Sequence, residues 1–142
     1  MKRNASSVNR TTPKKILIVE DDEHIVELFY AIFNGLVNYR TTYVKNGREA
    51  LRVARVEAPD IILLDIHLPE LDGYEVCRFA KSDPAMFRTR VLMISGMAQN
   101  IDLLKAQEAG ADGYITKPFI PTELIEKVEA LLGKIEGING TA

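Results

Sequence analysis

A single cysteine, Cys77, stands among 142 residues. That excludes an internal disulfide framework and a metal site built on several thiolates. No apolar run approaches the roughly 20 residues that a membrane-spanning helix needs. The opening segment MKRNASSVNRTTPKK has no apolar stretch that could serve as a secretory signal. A cytoplasmic protein without membrane contact is expected. Hydrophobic residues make up 46% and charged residues 27% of the chain, a balance that sets aside disorder, collagen-like repeats and coiled coils. At this length one domain is expected.

Acidic residues are missing from the first fifteen positions, which carry Lys2, Arg3, Arg10, Lys14 and Lys15. The remaining 13 basic and 20 acidic groups give residues 16–142 a charge of −7. Such a body is a poor match for a phosphate backbone, so no direct nucleic-acid binding is expected. Residues 1–13 read as a flexible, solvated basic arm.

Strand and helix patterns alternate along the rest of the chain. Residues 15–19 form a short β-branched run that ends in Glu20-Asp21-Asp22. Residues 23–33 place Ile25, Val26, Leu28, Phe29, Ile32 and Phe33 at helical spacing, with Asp22 as N-cap and Gly35 as the stop. Residues 39–45 alternate as a second strand. Asn46-Gly47 opens a helix that Pro59 ends. Residues 60–65 are the most apolar run and the third strand. A loop over 67–73 leads to a helix over 74–81, stopped at Ser82-Asp83-Pro84. Strand four covers 91–95, a helix 100–109 closes at Gly110, and strand five covers 114–116. The last helix is predicted over 118–132, with Pro121 in its first turn, and the tail 134–142 reads as frayed or as the start of a linker. Near-continuous apolar strands must be covered on both faces. The fold expected is α/β: a doubly wound parallel sheet of five strands with five helices, over residues 14–133.

In such sheets ligands bind beyond the carboxyl ends of the strands. Those ends present Glu20 and Asp21, then Asp65, then Ser95 and Gly96, then Thr116, Lys117 and Pro118. Clustered carboxylates raise one another's pKa, and a hard divalent cation such as Mg2+ relieves the repulsion. A central aspartate can attack phosphorus to form an acyl phosphate, with a lysine and the metal neutralising the phosphoryl oxygens. Each residue alone has a plainer reading: Asp22 as a cap, Asp65 as a turn residue, Ser95-Gly96 as a turn. Only their convergence gives the set chemical meaning.

The ordered segments ILIVEDDEHI, IILLDIHLPELDGYE, VLMISG, GADGYITKPF and PTELIEKVEALL resemble the response-regulator receiver domains of two-component signalling. The resemblance covers roughly residues 14–133. It implies the flavodoxin-like strand order 2-1-3-4-5, Asp65 as phosphoacceptor, and Glu20 and Asp21 as the acidic pair for Mg2+. It also implies the backbone carbonyl of His67 as a further metal ligand, Lys117 as the partner of the phosphoryl group, and a cis Lys117-Pro118 bond. Ser95 and Tyr114 take the positions of the paired switch residues. The expected partners are a histidine kinase or histidine phosphotransfer protein, and a downstream protein or second copy bound at the face of helix four, strand five and helix five. The chain would accept and hydrolyse its own phosphoryl group rather than act as an enzyme on other substrates. Gly96, Met97 and the His67 side chain bear on the lifetime of that state. An aspartate-based phosphohydrolase would want a second aspartate where His67 stands. A flavodoxin-type cofactor binder would have its phosphate repelled by the acidic triplet. A receiver-like interaction module blind to phosphate would have lost a site residue, and none is lost. His24 and Cys77 read as a surface group and a packed apolar residue, and Tyr39, Tyr43 and Tyr74 as packing. Whether the chain stands alone or is part of a longer one is left open.

Overall fold

The computed structural model describes residues 12–96 and 102–141. The basic arm as far as residue 11, with Met97 and Asn100, lies outside them. Strand β1 (Lys14–Val19) leads into α1 (Glu23–Asn34), β2 (Tyr39–Val44) into α2 (Gly47–Glu57), and β3 (Ile61–Asp65) into α3 (Gly73–Ser82). After a short 3-10 turn (Pro84–Met86) come β4 (Arg90–Ser95), α4 (Leu103–Ala109), β5 (Gly113–Thr116) and α5 (Pro121–Thr141). The sheet is parallel throughout, in the expected order β2-β1-β3-β4-β5.

Local chemistry sets the element ends. Asp22, Asn46, Asp72 and Asp102 each cap a helix by accepting a backbone N–H in its first turn. Helix α4 therefore starts at Leu103 rather than at residue 100, because Asp102 holds the cap. Helix α5 starts at Pro121 rather than 118, since the proline ring disfavours a helical Ile120 before it. At its far end α5 continues to Thr141 instead of stopping at Leu132. An isolated glycine such as Gly133 costs a helix only about 1 kcal/mol, and no proline follows to end it.

The pleat divides the core in two. Ile16, Ile18, Ile61, Leu63, Leu92, Ile94 and Ile115 face α1 and α5, where Phe29, Phe33, Leu124 and Val128 meet them. Leu17, Val19, Ile62, Leu64, Val91 and Met93 face α2, α3 and α4, through Ala50, Ala54, Val76, Cys77, Ala80 and Ala106. Cys77 is fully buried, donates to the Ala109 carbonyl at 3.4 Å, and burial pushes its thiol up to about 12, so it behaves as a packed residue.

One polar staple joins the lower edge. The Lys81 ammonium donates to Asp112 Oδ2 at 2.8 Å and to the Thr89 carbonyl at 3.1 Å. The same Asp112 oxygen accepts the Val91 N–H at 2.7 Å, and Arg90 lies 3.7 Å from the other carboxylate oxygen. Asp112→Ala takes the carboxylate from Lys81, leaves the Val91 N–H unpaired and is expected to cost about 1–3 kcal/mol, read as a lower urea midpoint with an unchanged slope.

Candidate functional site

The parallel register brings the strand ends level: Val19 lies beside Leu64, Asp65 beside Ile94, and Ser95 beside Thr116. The next residues out of β1 are Glu20 and Asp21, and the next out of β5 is Lys117. The cluster thus sits above β1 and β3, where the strand order reverses.

Carboxylate oxygens of Glu20, Asp21 and Asp65 all lie within 4.8 Å of one another. Glu20 is 2% and Asp65 6% exposed, while Asp21 faces solvent. Glu20 Oε2 accepts the Asp22 N–H at 3.2 Å, and Asp65 Oδ1 accepts the His67 N–H at 3.3 Å. Lys117 Nζ donates to Glu20 Oε1 at 3.3 Å. The lysine thus belongs to the carboxylate cluster, and it holds an acid in this state. Burial, with the Asp65 charge behind it, raises Glu20 to about 7 against the pull of Lys117. Burial likewise raises Asp65, opposed by Lys117 and the His67 N–H.

One ammonium therefore faces three crowded carboxylates. A set of hard oxygen donors carrying surplus negative charge fits a divalent cation of the Mg2+ type. Among the described residues the group holds carboxylates alone, and the His67 and His24 side chains are exposed.

The Ser95 hydroxyl is buried and has no hydrogen-bond partner among the described residues. Tyr114 is on the neighbouring strand and 43% exposed, and the Lys127 ammonium lies 5.8 Å from its ring centre. The Lys117-Pro118 bond is cis, as expected.

Gly73 reads from the sequence as a residue whose loop geometry a bulkier side chain would resist, but what it lies against is not legible there, and the role of Tyr74 escaped the sequence. A Cβ on Gly73 would come within 2.6 Å of the Asp65 carbonyl oxygen and 2.7 Å of the Ile66 Cα, so this glycine is needed for close approach to the end of β3. Tyr74, expected only to pack, accepts the Asp102 N–H through its hydroxyl at 2.8 Å. Neither is visible without the fold, since both partners are distant in sequence or are bare backbone.

The family model of the response regulator receiver domain matches residues 16–129. The chain belongs to that family. Among curated relatives it is 41% identical to the alkaline phosphatase synthesis transcriptional regulatory protein PhoP of Bacillus subtilis, over 87% of this chain and 50% of the relative. It is 36% identical to the polar-differentiation response regulator DivK of Brucella anthropi, over 85% and 98% of the two chains. The chain spans about half the length of PhoP and of the mycobacterial MtrA regulators it also matches. Among solved structures, the receiver domain of a Pseudomonas aeruginosa sensor histidine kinase, which has a magnesium ion coordinated in its active-site cleft, superposes with a TM-score of 0.78 at 31% identity. That match covers 86% of this chain and 99% of the other. A receiver is a signalling domain of two-component systems that works with histidine kinases and binds a divalent metal at an acidic pocket. Among the described residues, no helix is long and apolar enough to cross a membrane.

The raised Glu20 makes the stability of this receiver depend on pH in a sense opposite to that of an ordinary ion-paired carboxylate. Folded, Glu20 is pushed up to about 7 from the 4.5 of a free glutamate side chain. Between these limits the folded state binds more protons than the unfolded one, so stability falls as pH rises. Without metal, a loss on the order of 1–3 kcal/mol is expected from pH 4.5 to pH 8. Urea midpoints in chelator should show it, and Mg2+ or Glu20→Gln should reduce it. For Gly73→Ala the expectation is a loss of about 1–3 kcal/mol, because a methyl group must displace backbone next to Asp65. Weaker Mg2+ binding should accompany it in a fluorescence or calorimetric titration, and a wild-type affinity would refute the close-approach argument.

Proposed function

We propose that this receiver is a phosphorylation switch whose acceptor is Asp65. The observation that carries this reading is the buried Asp65 carboxylate held against Glu20, Asp21 and Lys117, with the unpartnered Ser95 hydroxyl at the next strand end. An Asp65 oxygen attacks phosphorus, and the bond from phosphorus to a donor histidine nitrogen breaks. That nitrogen keeps the electron pair, and an acyl phosphate is left on Asp65. Glu20, Asp21, Asp65 and the backbone carbonyl of His67 would hold Mg2+, which supplies charge neutralisation for the phosphoryl oxygens. Lys117 exchanges Glu20 for a phosphoryl oxygen, and Ser95 donates its hydroxyl to another. Movement of Ser95 leaves room for Tyr114 to turn inward, which biases an existing two-state equilibrium.

The phosphoryl donor is a histidine kinase or a histidine phosphotransfer protein. The chemistry ends on the chain's own side chain, including hydrolysis of the acyl phosphate, so the protein acts as a cytoplasmic switch rather than as an enzyme with an outside substrate. The output face is that of α4, β5 and α5. There Leu103, Leu104, Tyr114 and Ile120 are exposed, and a cleft of about 350 Å3 runs between Leu103 and Tyr114. A downstream protein or a second copy would cover it. The DNA binding named for MtrA belongs to a chain about twice as long and is not proposed for these residues.

Intact mass after incubation with acetyl phosphate tests the assignment. A gain of about 80 Da (one phosphoryl group) that requires Mg2+ and is absent in Asp65→Asn is expected. Stoichiometric phosphate on the variant, or none on a folded wild type that also fails to bind beryllofluoride, would refute it.

A further inference from the structure

Tyr74 connects the end of β3 to the start of α4. Its backbone follows Gly73, which donates its N–H to the Ile66 carbonyl at 2.8 Å and has no room for a Cβ against Asp65 and Ile66. The tyrosine therefore cannot shift at its root without moving the backbone of Asp65. At the far end its hydroxyl accepts the Asp102 N–H at 2.8 Å, and the Lys105 ammonium lies 5.5 Å from the ring centre. Asp102 caps α4 by accepting the Lys105 N–H at 3.1 Å. Hydrogen bond and cation–π contact thus grip the same helical turn.

That grip borders the reaction. Tyr74, Asp102 and Lys105 line a cleft of about 370 Å3 together with His67, Asp72 and Ser95. Ser95 and Asp102 belong to the single connection between β4 and α4, and the Ser95 hydroxyl has no partner among the described residues. The tie fixes one wall of the cleft that Ser95 also lines, and so opposes a rearrangement that moves that wall. It is present in the arrangement where Lys117 still holds Glu20.

We propose, resting on the assignment of Asp65 as acceptor, that Tyr74 is a positioning residue. It holds the start of α4 in the unphosphorylated arrangement and so sets how readily a phosphoryl group is taken up and kept. The full chain is tested with Mg2+ and beryllofluoride, a stable phosphoryl mimic, and with Mg2+ alone. Tyr74→Phe removes one oxygen and keeps the ring, so the fold should survive. Loss of one net hydrogen bond should tighten beryllofluoride binding about fivefold. Lys105→Met should tighten it about two- to threefold, through loss of an exposed cation–π contact. Affinity for Mg2+ alone should stay within about twofold in both, a separation that a merely structural role would not produce. Unchanged or weaker beryllofluoride binding in Tyr74→Phe overturns the proposal while leaving Asp65 as acceptor. Absence of binding in the wild type, or equal binding in Asp65→Asn, overturns the acceptor assignment and the proposal with it.

Discussion

Glu20 and Asp65 carry carboxylates into a place that water barely reaches, and Asp21 adds a third at its rim. The repulsion among them is the constraint around which the site is organised. Burial, with that repulsion behind it, raises the two buried acids, and the cluster draws Lys117 onto Glu20 and takes up the backbone N–H groups of Asp22 and His67. One ammonium and two amides do not balance three carboxylates. The remaining charge favours a divalent cation at this spot, and the proposed phosphoryl transfer would rest on it.

That arrangement is tolerated because the sheet beneath it is stiff. Both faces of the central strands are packed, α1 and α5 on one side and α2, α3 and α4 on the other. Gly73 lets α3 lie directly against the end of β3, so the loop after Asp65 has little freedom. The acids cannot relax apart by moving backbone. Above this floor the buried Ser95 hydroxyl has no hydrogen-bond partner among the described residues, and Tyr114 is exposed. In the proposed switch the charged groups sit on packed elements, and Ser95 and Tyr114 at β4 and β5 would be the parts that move.

Much of this was legible from residue order. The strand ends named Glu20, Asp21, Asp65, Ser95 and Lys117 as one set, and the structure brings them to one edge. Asp22 as a cap followed from its place before an apolar helical pattern. Helix limits were less legible. Competition between a cap at Asp102 and a helix start at residue 100 is decided by which side chain reaches which N–H. Continuation of α5 beyond Gly133 is decided by a small propensity cost that no breaker reinforces.

The sequence by itself determined the alternation of strand and helix, the parallel sheet and the identity of the charged groups at its edge, because apolar periodicity and capping residues act locally. Tertiary structure alone decided what those groups do to one another. It paired Lys117 with Glu20 across 97 residues, pressed Gly73 onto the backbone of Asp65, and set the Tyr74 hydroxyl on an amide 28 residues away. Such contacts depend on register and on the distance between packed elements, and burial then fixes their strength. Neither quantity is written in the order of residues along one strand or one helix.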